Sequence, residues 1–222
     1  MTSIEIALLF PRIGHPPPNT TFVIETKNPN KSRATLEVKE YQAEIRHAFV
    51  RGGPGAIVSG VVWLSAAITA AATDTSTGFA ALFFGGMLIF PIAKVFTMLF
   101  YNREPESKAN PGGLIALETV FPMIGGLFAA WLLLPYRPDY VFGVSAIAVG
   151  AHYFGFRSAY GDWTYWALGA ILCALGVTSI ILQIPPGDSV AFLIAVVEIL
   201  FGLWFIVLDR REVAAKRVST QN

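Results

Sequence analysis

Charge is what this sequence has least of. Asp, Glu, Lys and Arg make up 14% of its 222 residues, against about 25% in an ordinary soluble domain, while apolar residues reach 54%. So little charge cannot cover a water-facing surface, and lipid is the expected solvent for most of the chain. Cysteine occurs once, at Cys173 inside an apolar run, which excludes an intramolecular disulfide framework and any cysteine-cluster metal site. Histidine occurs three times, and His152 alone falls within a candidate span, which argues against metal catalysis. The formal net charge of +1 gives no global basic field that would point to nucleic acid. No metal and no cofactor are expected. A secretory signal is lacking as well: Ile6 to Phe10 is too short, follows Glu5 and ends at Pro11. Met1 is read as the true start.

What is present reads as an all-α polytopic membrane protein, a six-transmembrane-helix bundle preceded by an amphipathic surface helix. Residues 1–33 are rich in Pro, Asn and Thr, with Pro16, Pro17 and Pro18 in a row, a composition that opposes regular structure; a loosely ordered cytoplasmic arm is expected. Across 34–51, Val38, Tyr41, Ile45 and Phe49 recur at helical spacing, with Lys39, Glu40, Glu44 and Arg46 on the other face. That pattern predicts an interfacial helix. Gly52 and Gly53 end it and Pro54 opens the next helix.

A crossing needs about 20 mainly apolar residues to span about 30 Å of hydrocarbon. Within a membrane domain at 52–209, six stretches qualify: 55–73, 79–101, 113–134, 140–157, 163–183 and 189–208. A basic cytoplasmic tail, 210–222, follows. Positive residues are retained on the cytoplasmic side. With the N-terminus inside, that side carries Lys39, Arg46, Arg51, Arg103, Lys108, Arg157, Arg210, Arg211, Lys216 and Arg217, against Arg137 alone outside. Both termini are therefore expected in the cytoplasm of a multi-pass inner-membrane protein. The sequon at Asn19 falls on the cytoplasmic arm and is set aside.

Ionisable groups inside the hydrocarbon cost roughly 2.5–3.5 kcal/mol each at mid-membrane, so they single out candidate sites. Lys94 lies seven residues before Tyr101 and Glu118 six after Gly112, both about 10 Å from the inner end at 1.5 Å per residue. They are placed to pair, since spans joined by a short loop are usually neighbours. His152 reaches a similar depth and Glu198 lies nearer mid-membrane. Pro91 and Pro122 share a helical face with Lys94 and Glu118, and each frees a backbone carbonyl one turn back. The expected result is a polar pocket open to the cytoplasm, lined by Lys94, Glu118, His152 and Glu198 and shaped by Pro91 and Pro122. The plainer alternative is that Lys94 snorkels along its own stem while the acids and His152 bond neighbouring helices. Small residues four apart, such as Gly55 and Ser59, Gly126 and Ala130, or Ala170 and Ala174, suit close helix contacts. Leu114 to Glu118 in the third span also echoes Leu193 to Glu198 in the sixth, the pattern of an inverted repeat.

The segments Arg51-Gly52-Gly53-Pro54-Gly55, Gly86-Met87-Leu88-Ile89-Phe90-Pro91, Gly150-Ala151-His152-Tyr153-Phe154 and Gly161-Asp162 resemble a family of uncharacterised bacterial six-span membrane proteins, over most of residues 40–183. The resemblance implies a bacterial source and no activity, cofactor or catalytic residue. The residues leave three functions open. The first is a small-molecule or proton-coupled carrier using the intramembrane cluster. The second is a non-catalytic packing or sensing component. The third is an intramembrane enzyme acting on a lipid or amphiphile through Glu118 or His152. The expected partners are the lipid bilayer, a small-molecule ligand and a second copy of the chain, with no nucleic acid.

Overall fold

The computed structural model describes residues 29–219 and forms, among them, eight α-helices and no strand. These are α1 (Pro29–Ala48), α2 (Gly53–Ala72), α3 (Thr75–Tyr101), α4 (Pro111–Glu118), α5 (Val120–Leu133), α6 (Val141–Tyr160), α7 (Thr164–Ile181) and α8 (Ser189–Ser219). Five stretches are long and apolar enough to cross a membrane: Val50–Ala72, Thr75–Tyr101, Pro111–Leu133, Thr164–Ile181 and Ser189–Ala215. The chain is an all-helical membrane protein. Most of the arm expected at 1–33, and the Asn19 sequon with it, lies outside the described residues.

The stretch expected as the fourth span is the 20-residue helix α6, yet it does not meet the composition of the other five. The reason is its place in the bundle. It packs on α7, α5, α4 and α8, so Gly143, Ser145, Ala146 and Gly150 occupy buried positions where a lipid-facing helix carries bulky apolar groups. By contrast, α3 leaves Phe84, Phe90 and Leu99 more than 60% exposed.

Apart from α1, the helices form two groups of three, with the α4–α5 pair counted as one member. α2 lies between α3 and α8, and α6 lies between α7 and the α4–α5 pair; Trp63 and Phe142 meet across the groups with ring centroids 6.2 Å apart. Close approach is set by glycines seven residues apart. A Cβ on Gly150 would lie 2.8 Å from the Gly169 carbonyl oxygen, and one on Gly176 would lie 2.5 Å from that of Gly143. On α2, Gly53 and Gly60 meet the Gly202 and Ala195 carbonyls at 2.8 Å in the same sense. These pairings fix α6–α7 and α2–α8 as antiparallel. The expected four-residue motifs fare differently: Gly126 does press on Ala148, but Gly55 faces open space and Ala170 and Ala174 are exposed.

Helix ends follow local chemistry. Asp74 caps α3 by accepting from the Thr77 N–H at 2.9 Å, and Asn110 caps α4 by accepting from the Gly112 N–H at 2.8 Å. Pro122 has no N–H to offer the Glu118 carbonyl, and the third span breaks there into α4 and α5. Pro91 leaves α3 unbroken. The residues expected as a separate tail continue α8 to Ser219.

On α1, Lys39 and Glu40 are exposed, while other residues of its polar side are engaged with protein. The Gln42 amide donates to the Ser158 carbonyl at 2.9 Å and Arg46 to the Tyr160 carbonyl at 2.6 Å. Glu44 accepts from the Ser107 N–H at 2.6 Å and from the Asn110 amide at 2.6 Å. The Ser107 amide first, and Asn110 after it, hold the Glu44 carboxyl below its ordinary range. Ile45 is buried, while Val38 and Tyr41 are exposed.

Candidate functional site

Between α1 and α2 the chain makes a turn that only specific support can hold. Val50, Arg51 and Gly52 have φ of 51°, 53° and 77°. Positive φ is ordinary for glycine and a genuine outlier for β-branched valine, and such backbone costs on the order of 1–3 kcal/mol per residue. Val50 is fully buried, the Gly52 N–H returns to the Phe49 carbonyl at 2.8 Å, and the Tyr165 hydroxyl donates to the Arg51 carbonyl at 2.6 Å. A Cβ at Gly52 would collide with that hydroxyl oxygen, so the position requires glycine twice over.

The turn aims the Arg51 side chain along the end of the bundle. Its guanidinium donates to Asp162 between α6 and α7 and, at 2.8 Å, to Glu212 on α8. Asp162 is held by the start of the next helix, its Oδ1 accepting from the Thr164 N–H at 3.0 Å and the Thr164 hydroxyl at 2.6 Å. The Arg46 Nε lies 3.7 Å from Glu212. Nearby, Arg103 pairs with Asp209 at 2.7 Å and stands 3.1 Å from the His47 ring. Arg46, Arg51, Asp162 and Thr164, with Trp163, Trp204 and Leu208, line a pocket of about 420 Å³. One wall is thus charged and the other apolar.

Behind the turn, aromatic rings run inward. Tyr165 stacks on Phe205 at 4.5 Å and on Tyr153 at 6.1 Å between centroids, with Tyr160 at 5.1 Å. The Tyr153 hydroxyl donates to Glu198 Oε1 at 2.9 Å. Glu198 is 0% exposed, its Oε2 has no hydrogen-bond partner, and the Ser59 hydroxyl of α2 lies beside it. Among the described residues no ion pair neutralises Glu198.

The four ionisable residues singled out in the spans do not share one pocket. Glu198 is enclosed, whereas Lys94 and Glu118 are exposed. No ion pair joins those two; the Lys94 ammonium stands 5.9 Å from the centre of its own helix's Phe90 ring. The physical reason is neighbour choice. α3 packs on α2 and α4 on α6, and the connecting residues 102–110 are tied to α1 through Glu44 instead of drawing the two helices together. His152 lies 2.6 Å from the Thr119 hydroxyl at the break between α4 and α5. Thr119 also donates to the Ala116 carbonyl at 2.7 Å; a hydroxyl has one proton, so His152 Nδ1 is then the donor to Thr119. A second, largely apolar pocket of about 240 Å³ opens there, lined among others by Thr119, Pro122, Gly126 and His152. Among the described residues no three His, Cys, Asp or Glu side chains converge as a metal site would need.

Charge inside the spans could not reveal Arg46, Arg51, Asp162, Tyr165 or Tyr153 as one unit. A signal did exist: Arg51 and Asp162 both stand in the segments that resemble the six-span family, 111 residues apart in sequence. A family described as of unknown function (DUF7010) matches residues 38–208, well over half of the chain. No curated protein matches the chain, and no solved structure does.

Proposed function

The chain belongs to this DUF7010 family of unknown function, and we propose that it is a carrier whose substrate pocket lies at the Arg51 turn and whose proton-linked group is Glu198. One observation carries the reading: a fully buried carboxyl without a counter-charge among the described residues is linked through Tyr153 and Tyr165 to Arg51, which lines a pocket at the bundle's end. A carboxyl there changes its charge on taking up or releasing a proton, in surroundings that penalise uncompensated charge.

In this reading α6 crosses as well, giving six passages with both termini on the cytoplasmic side. At 20 residues and 1.5 Å per residue it is about 30 Å long. The sided distribution of Lys and Arg supports the orientation. The packing also has the form of an inverted repeat: α3 rests on α2 as α7 rests on α6, and α8 flanks α2 as α5 flanks α6. Exchanging the first three passages with the last three maps these two contacts onto each other, although α8 also packs on α7 and α6 without an equal counterpart in the first half; in inverted-repeat proteins sites form between the halves. Glu198 on α8 bonds Tyr153 of α6 in its own half and has Ser59 of α2, in the other half, beside it.

The test is charge movement in proteoliposomes on a solid-supported membrane, challenged with a panel of small anions, zwitterions and cations. The reading expects a transient for at least one class, pH-dependent in the wild type and abolished in Glu198→Gln. No transient for any compound sinks it. A second reading, a packing or sensing component, is favoured by the Arg51 and Arg103 ion pairs that staple helix ends together; it expects no transient and a loss of stability on breaking those pairs.

A further inference from the structure

We propose that the pocket at the Arg51 turn binds the phosphate of a membrane phospholipid; this rests on the reading of that pocket as a ligand site. Its polar wall offers donors and few open acceptors. Arg46 has a protein acceptor for one N–H, the Tyr160 carbonyl, and Arg51 for two, Asp162 and Glu212, while a guanidinium carries five. The Nε of each is buried without a hydrogen-bond partner, that of Arg46 facing Glu212 at 3.7 Å, so the terminal guanidinium nitrogens are the ones left for a ligand. The Asp162 oxygens are already taken by Thr164 and Arg51. The ligand must therefore bring acceptor oxygens, and a guanidinium pair matches a phosphate in geometry and charge. Asp162 and Glu212 screen part of the arginines' charge, so the pocket suits a phosphodiester with one charge better than a highly charged polyanion.

The other wall points to a tail. Trp163 and Trp204 are 70% and 46% exposed, and tryptophan favours the membrane boundary, where its ring is apolar and its N–H wet. From Trp204 an apolar strip of exposed side chains, Leu203, Leu200 and Val196, runs along α8 toward the bundle's middle. These positions recur at helical spacing on one side. A headgroup phosphate on Arg46 and Arg51 thus leaves its acyl chain a track beside the helix.

Native mass spectrometry of the full-length protein in mild detergent tests this with three probes. They are dioleoylphosphatidylglycerol, dioleoylglycerol without the phosphate, and glycerol 3-phosphate without the chains. The expected result is one retained phospholipid, no retained dioleoylglycerol, and no displacement by glycerol 3-phosphate. Loss of one charge-assisted contact should weaken retention about tenfold in Arg46→Gln, with partial rescue in Arg46→Lys. Trp204→Ala, on the lipid-facing side, should weaken it while leaving the ion pairs intact. Equal retention of dioleoylglycerol, or unchanged retention in both Arg46→Gln and Trp204→Ala, overturns the phosphate assignment. Displacement by glycerol 3-phosphate overturns the lipid source in favour of a free phosphate. Glu198→Gln separates this proposal from the carrier: it should keep the lipid and lose the transient, so either can fail alone.

Discussion

The Tyr165 hydroxyl donates to the Arg51 carbonyl at 2.6 Å, and this single bond ties the start of α7 to a turn whose three residues all have positive φ. Removing it in Tyr165→Phe should cost about 1 kcal/mol. Gly52→Ala should cost more, about 2 kcal/mol or above, because the new methyl meets the phenol and an alanine is strained at that φ. The double variant should be less damaged than the sum, since a ring without its hydroxyl oxygen leaves part of the contested space to the methyl. Unfolding titrations in mixed micelles measure all three, and strict additivity would contradict the contact.

Tyr153 and Glu198 form the second test. Tyr153→Phe leaves a buried carboxyl oxygen without its donor and should destabilise by about 1–3 kcal/mol. Glu198→Gln keeps an acceptor for Tyr153 and should cost less. The order of the two melting temperatures in detergent decides the matter; the reverse order would mean that the Tyr153 bond is not what holds Glu198 in place.

Glycine contacts make a paired prediction. In Gly169→Ala the new carbon would approach the Gly150 carbonyl oxygen to 2.6 Å, a backbone atom that cannot step aside, so a loss of about 1–3 kcal/mol is expected. Gly55→Ala meets nothing within 4 Å and should be neutral or slightly stabilising through helix propensity. Equal effects at both sites would show that α6 and α7 approach less closely than this contact requires.

Acid should loosen the attachment of α1. The Ser107 amide and Asn110 depress the Glu44 carboxyl below its unfolded value, so its contribution is fully present above the ordinary carboxylate range. That contribution fades as pH falls through the lower, folded value. The protection of the Ser107 amide, its hydrogen-exchange rate taken relative to the intrinsic rate at each pH, should fall over that acidic window in the wild type. Glu44→Gln should exchange faster throughout and lose the pH step; a step that persists in Glu44→Gln would assign it to another group.

Much of the architecture was legible because it is local. Apolar runs place most helix ends within a few residues of expectation. Pro122 was legible for the same reason, a missing donor acting one turn away. The motif at Ala170 and Ala174 misled because spacing does not say which face meets a neighbour: these two look outward, while Gly169 and Gly176 on the same helix carry the contact with α6. For α1, spacing could not say which polar residues meet protein: Gln42, Glu44 and Arg46 do, while Lys39 and Glu40 are exposed.

By itself the sequence determined the solvent and the secondary structure. Scarce charge and long apolar runs leave the backbone to satisfy its own hydrogen bonds, and helices do that segment by segment. Only the tertiary structure decided which polar groups meet. A helix apolar on every side does not encode its rotation or its neighbours; those follow from glycine contacts and from the ties that bind connecting segments. That is why Lys94 and Glu118, matched in depth, stay apart, and why Arg51 and Asp162, distant in sequence, form the centre of the candidate site.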